Sequence, residues 1–147
     1  MIMISACLAG VDCKYNGGNN EVEHLKNLVK DREVILVCPE QLGGLTTPRS
    51  PSEIIGGQGS DVLRGNAKVV TKEGMDVTVE FVKGAQETLK IAQLYGIQKA
   101  ILKARSPSCG VNTIYDGTFG TRETEGHGVT AALLIQNGIE VLNEENL

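Results

Sequence analysis

Apolar residues in this chain follow two rhythms. Residues 1–6 (MIMISA), 33–38 (EVILVC), 99–104 (KAILKA) and 139–143 (IEVLN) are short runs of mostly branched side chains with little polar alternation. That pattern suits strands buried on both faces. Between them the spacing changes to that of a helix. Val22, Leu25, Leu28 and Val29 form one stripe, with Asn20 placed to cap it and Glu23 to complete a capping box. Phe81, Val82, Ala85, Leu89 and Ala92 form a second stripe, opened by Asp76 or Thr78 and closed by Gly96. Residues 129–138 give a final short helix with Gly138 beyond its end.

Strands that alternate with helices make βαβ units, whose right-handed crossovers put helices on both faces of a mainly parallel sheet. The expected fold class is therefore α/β: a single three-layer Rossmann-like domain over residues 1–147, with a small hairpin excursion. The hairpin is expected in AKVVTKEGMDVT, turning near Glu73 and Gly74, and a further turn is signalled at Asp116-Gly117. Residues 39–65 hold three prolines and many glycines, so regular structure should be sparse there. Connections this long usually serve a function, here a cover over a substrate. No internal repeat is present, and no glycine-rich phosphate-binding pattern opens a helix.

Composition narrows the function classes. With 147 residues, 41% of them hydrophobic, the chain has enough for one core, and 18 glycines exceed the roughly 7% of ordinary usage. The formal charge of −4, with 14 basic residues scattered along the chain, offers no surface for nucleic acid. No apolar run approaches the roughly 20 residues of a membrane span. The N-terminus lacks a basic segment ahead of an apolar one, so a cytoplasmic location is expected.

In that reducing compartment the four cysteines, Cys7, Cys13, Cys38 and Cys109, point to metal or thiol chemistry more than to disulfides. Cys7, Cys38 and Cys109 each follow a predicted strand. In a parallel sheet those ends share one edge, where ligands bind at the switch point, so three thiols far apart in sequence should converge. No C-x-x-C spacing supports a zinc ribbon, and three soft thiolates suit an iron-sulfur cluster with one iron left open. A buried cysteine is often mere packing, but three at strand ends beside proline or glycine fit that reading poorly. Cys13 lies in a polar turn, as either a spare thiol or an alternative ligand.

Glu40 stands two residues after Cys38 in CPEQ, and in an extended segment that spacing returns to the same face, a place for a general base. Ser106, three residues before Cys109, can hold a water or give a proton, while Ser108 can bond the backbone of the turn. Lys103, Arg105 and Arg49 could offset thiolate charge, although solvated cations are the commoner outcome. Tyr15, Asp116 and His127 are loop residues with weaker claims.

With SACLAGVDCKYNGG, CPEQLGGLTTPRSP, LKARSPSCG and YDGTFG in this order, the chain resembles the thiouracil desulfidase family over nearly its whole length. The resemblance implies a [4Fe-4S] cluster held by Cys7, Cys38 and Cys109 alone, with Glu40 and Ser106 catalytic and Cys13 a non-ligand. It also implies non-redox conversion of a thiolated pyrimidine to uracil and hydrosulfide, with the substrate sulfur meeting the open iron. Lys14-Tyr15-Asn16-Gly17 replaces the family's more frequent Arg-Tyr-Asp-Gly and leaves the ligand positions intact. Two other classes stay open at this level: a metal-free cysteine-based sulfur-transfer or redox protein, and a module that binds a cluster or thiolated base without turnover. The pattern does not separate 4-thiouracil, 2-thiouracil and a thiolated nucleoside, nor does it fix the oligomeric state.

Overall fold

A computed structural model describes residues 1–147. Strand β1 (Ile2–Ser5) leads through a 3-10 turn (Ala6–Ala9) and a loop to α1 (Glu23–Asp31), β2 (Val34–Val37) and the single turn α2 (Pro39–Leu42). Next come β3 (Ser52–Ile55), α3 (Gly59–Leu63), β4 (Lys68–Thr71), the long α4 (Thr78–Leu94) and β5 (Lys99–Leu102). The chain closes with β6 (Thr113–Tyr115), β7 (Glu123–Glu125), α5 (Val129–Gln136) and β8 (Glu140–Asn143).

The four apolar runs form one parallel sheet in the order β2-β1-β5-β8, and β3-β4 and β6-β7 form two small antiparallel ribbons. The strand pleat sorts the core into layers. Ile2 and Ile4 of β1 join Ile101 of β5, Leu8 and Leu25 under α1. Met3, Ala100 and Leu102 point to the opposite face, against Ala92 of α4 and Ala131 and Leu134 of α5. Helices therefore cover both faces, as the alternation of elements predicts. Each of these large aliphatic side chains contributes roughly 1.5–3 kcal/mol through burial.

Three local expectations are corrected. Asn20 does not cap α1: the N-cap is Val22, and no side-chain cap bond forms. The backbone N–H of Asn20 donates instead to the Cys7 carbonyl at 3.0 Å, which draws the residue toward the sheet edge. The 67–78 segment does turn at Gly74, with the Thr71 and Val77 N–H groups donating to the Met75 and Val69 carbonyls, but it does not stand as a hairpin on its own. β4 pairs with β3, in the register Ser52↔Thr71, and only a single bridge, Val70↔Asp76, joins the two arms of the turn. Its second arm is diverted into α4, where Asp76 Oδ1 accepts the Thr78 N–H at 2.9 Å. Residues 39–65 also hold more regular structure than their prolines suggest, namely α2, β3 and α3.

One close contact sets where α2 sits. A Cβ at Gly43 would overlap the Glu80 carbonyl, and one at Gly84, inside α4, would overlap the Pro39 carbonyl. Two glycines thus let α2 lie directly on the α4 backbone, which fixes the segment that follows Cys38.

Candidate active site

Within the parallel sheet the chain goes from β1 to β2 on one side and returns to β5 on the other, so β1 and β5 flank the switch point. Ser5, the last residue of β1, bridges the two. It accepts the Lys103 N–H at 2.9 Å and donates its hydroxyl to Cys109 Sγ at 3.5 Å. Beyond these strand ends lies a cavity of about 430 Å³, and all four cysteines line it. Cys7 enters from the 3-10 turn after β1, Cys38 as the N-cap of α2 after β2, and Cys109 from the loop after β5. The convergence predicted from strand ends is therefore seen.

The thiols are not alike. Cys38 is pushed down to about 6, first by a hydrogen bond from the Cys13 thiol and then by the Gln41 N–H and the Arg49 charge, against the cost of burial. Cys7 is lowered as well, chiefly by Cys13 and with help from Asn20 and Lys103. Cys13 itself, buried between the two and donating to both, is raised. Burial pushes Cys109 up to about 12, opposed chiefly by the Ser5 hydroxyl. Cys7 and Cys38 are thus held toward thiolate, the form that binds metal. No trio of cysteine, histidine or acidic side chains converges on one single-ion position.

Glu40 lies in the same cavity, but by another route than expected. It sits in the first turn of α2, not in an extended segment. Its Oε1 accepts Arg49 Nε at 2.9 Å, and its Oε2 accepts the Ser108 hydroxyl at 3.0 Å. Arg49 also donates to the Cys13 carbonyl at 2.9 Å and to Thr47 Oγ1 at 2.8 Å, so it is a built-in partner and no solvated cation.

The two serines exchange the roles expected of them. Ser106 Oγ accepts the backbone N–H of Ser108 at 3.2 Å and of Cys109 at 3.1 Å, capping the turn. Ser108, not Ser106, touches Glu40. The hydroxyls lie 3.0 Å apart. Because Ser106 Oγ already accepts two N–H groups, its own proton is free to go to Ser108, which gives an O–H chain Ser106→Ser108→Glu40.

Of the remaining candidates, Lys103 pairs with Glu144 at 3.1 Å. Arg105 is committed to a bidentate pair with Glu145 at 2.7 and 2.8 Å. Tyr15 lines the cavity, and Asp116 Oδ1 is occupied by Thr118. His127 lies away from the cavity, its Nδ1 accepting the Asn112 N–H at 3.0 Å. Sequence reasoning underrated Ser108, Arg49 and the depth of Cys13. The only local signal for Arg49 was its place between two prolines in TTPRSP.

Comparison with known proteins places the chain in a family. The 2-thiouracil desulfurase family matches residues 2–146. The chain belongs to that family. Among its relatives, the uncharacterized protein YbbK of Bacillus subtilis (strain 168) is 49% identical over 147 residues, covering 100% of this chain and 97% of that protein. A solved structure, the [4Fe-4S]-dependent thiouracil desulfidase TudS, superposes with a TM-score of 0.87 at 40% identity, covering 99% of this chain and 91% of that one. The desulfurase fold is thus the parallel sheet described above. No helix of this family member is long and apolar enough to cross a membrane.

Proposed function

We propose that residues 1–147 form one desulfidase domain that holds a [4Fe-4S] cluster on Cys7, Cys38 and Cys109 and hydrolyses thiouracil to uracil and hydrosulfide. The observation that carries this reading is the meeting of the three strand-end cysteines with the Ser106–Ser108–Glu40 chain in one cavity. Three soft thiol donors lining one cavity suit a cluster. The TudS structure, similar over nearly all of this chain, supports that cofactor and a thiolated pyrimidine substrate.

When bound, such a cluster with one iron free of protein ligands supplies a Lewis acid toward sulfur, making the thiocarbonyl carbon more electrophilic. The chain's own residues supply the water chemistry. Glu40 accepts a proton from the water that attacks the ring carbon; the C–S bond breaks and oxygen takes the place of sulfur. Arg49 holds Oε1 of Glu40, leaving Oε2 toward the hydroxyl chain. Ser106, whose lone pairs are taken by two backbone N–H groups, orients Ser108, and Ser108 takes the water's proton as it passes its own to Glu40 Oε2. Thiouracil and water become uracil, hydrosulfide and a proton, with no net electron transfer. Cys13 remains a thiol that donates to its neighbours.

Anaerobic purification followed by incubation with 4-thiouracil tests the reading. A brown protein with about four irons per chain that releases one sulfide per uracil is expected. A colourless protein that turns over, or a loaded one that binds and releases no sulfide, would overturn it.

A further inference from the structure

The YDGTFG motif forms the turn between β6 and β7, and nothing in the chemistry above uses it. The chain has only five aromatic residues, three tyrosines and two phenylalanines. Phe81 is in the core, yet Tyr15, Tyr115 and Phe119 all line the cavity. Phe119 is held there by an unusual backbone. It adopts φ 58 and Thr121 φ 57, left-handed positions that are uphill for residues with a Cβ and that persist only where the surroundings impose them.

Glu53 supplies the constraint. This residue of β3 is buried and takes part in no ion pair. Its Oε1 accepts the N–H of Gly117 at 2.9 Å and of Phe119 at 3.2 Å. Gly117, at φ 91, lets the turn lie on the β3 backbone, since a Cβ there would come within 2.7 Å of the Ile54 carbonyl. The Asp116 N–H closes the hairpin onto the Arg122 carbonyl at 2.9 Å.

We propose that Glu53 is a positioning residue that latches the Gly117–Phe119 backbone, so that Phe119, with Tyr15 and Tyr115, forms a stacking wall selecting a flat heteroaromatic ring as substrate. The inference rests on the desulfidase reading for the identity of that ring, and the wall itself does not depend on the chemistry. Charge-assisted bonds to two amides are strong enough to hold a turn in an uphill conformation. A base on an aromatic face gains affinity whatever its edge substituents.

The test uses cluster-loaded protein and two probes. 4-Thiouracil turnover reads KM and kcat, and uracil, which has the ring but no sulfur, reads binding by calorimetry. Glu53→Gln should keep iron content and kcat, raise KM and the uracil Kd about tenfold, and speed hydrogen exchange at the Gly117 and Phe119 amides. Phe119→Leu should raise both constants similarly without touching kcat, and Phe119→Tyr should restore them. Unchanged uracil binding in both variants, or a fall in kcat and iron content in place of the KM effect, overturns the latch. If the unmodified protein releases no sulfide, the desulfidase reading fails instead, and uracil binding with amide exchange still decides the wall.

Discussion

Ser108 gives its hydroxyl proton to Glu40 Oε2 at 3.0 Å, joining two residues 68 positions apart in the chain. Ser108 is also buried, with only 2% of its surface exposed, so no water can easily replace the bond. Ser108→Ala should therefore cost about 1.5–3 kcal/mol of stability, as for a lost bond to a charged group. It should cut kcat by roughly 100-fold, the low end of the general-acid/base range. Iron content should stay at the wild-type level. Sulfide release and iron quantitation on the same preparation check this, with Ser106→Ala and Glu40→Ala expected to keep iron and lose turnover.

The four cavity thiols should separate by metal retention. Replacing Cys7, Cys38 or Cys109 by Ala removes a proposed ligand, and anaerobic protein should come out with little iron and no brown colour. Cys13→Ala should retain about four irons. Loss of iron from Cys13→Ala with retention in any of the other three would reverse the ligand assignment.

Cluster-free protein offers a pH test. Cys38 is held down at about 6, so it is mostly thiolate at pH 7 and should be alkylated there faster than an ordinary thiol, with a rate midpoint near 6. The Cys13 thiol is the largest cause of that depression. Cys13→Ala should accordingly move the midpoint upward and slow alkylation at neutral pH. Cys109, pushed up to about 12, should stay unreactive throughout. Mass mapping of iodoacetamide adducts against pH reads all three statements.

Gly84 lies inside α4, where Ala is ordinarily better by about 1 kcal/mol. Here Gly84→Ala should destabilise, because the new methyl overlaps the Pro39 carbonyl and overpacking costs about 1–3 kcal/mol or more. Since α2 carries Glu40 and is capped by Cys38, iron loading should fall with the melting temperature. A rise in thermal midpoint would show that α2 yields without harm.

Much of this was legible in the sequence because strand ends and cysteines coincide: Cys7, Cys38 and Cys109 needed only the parallel topology to meet. Glu40 was placed at the site from extended two-residue spacing, whereas Pro39 in fact starts a helical turn that serves the same end. Ser106 and Ser108 could not be told apart, since which hydroxyl caps the turn depends on backbone angles within SPSCG. Arg49 and Cys13 reach the cavity through loops, and Glu53 meets Gly117 across 64 residues. Such contacts depend on how loops pack, and no short-range pattern carries them.

β1 has a further consequence for how the protein is made. All four of its residues are buried, and it hydrogen-bonds to β2 on one side and to β5 on the other. On the ribosome β2 follows within about thirty residues, but β5 emerges nearly a hundred residues after β1. Until then one flank of a wholly buried strand stays bare, a state prone to wrong pairing. The stretch that covers this flank also delivers Cys109, so a nascent chain cannot bring its four cavity cysteines together before its sheet is shielded. Assembly of the cavity is thereby tied to completion of the fold.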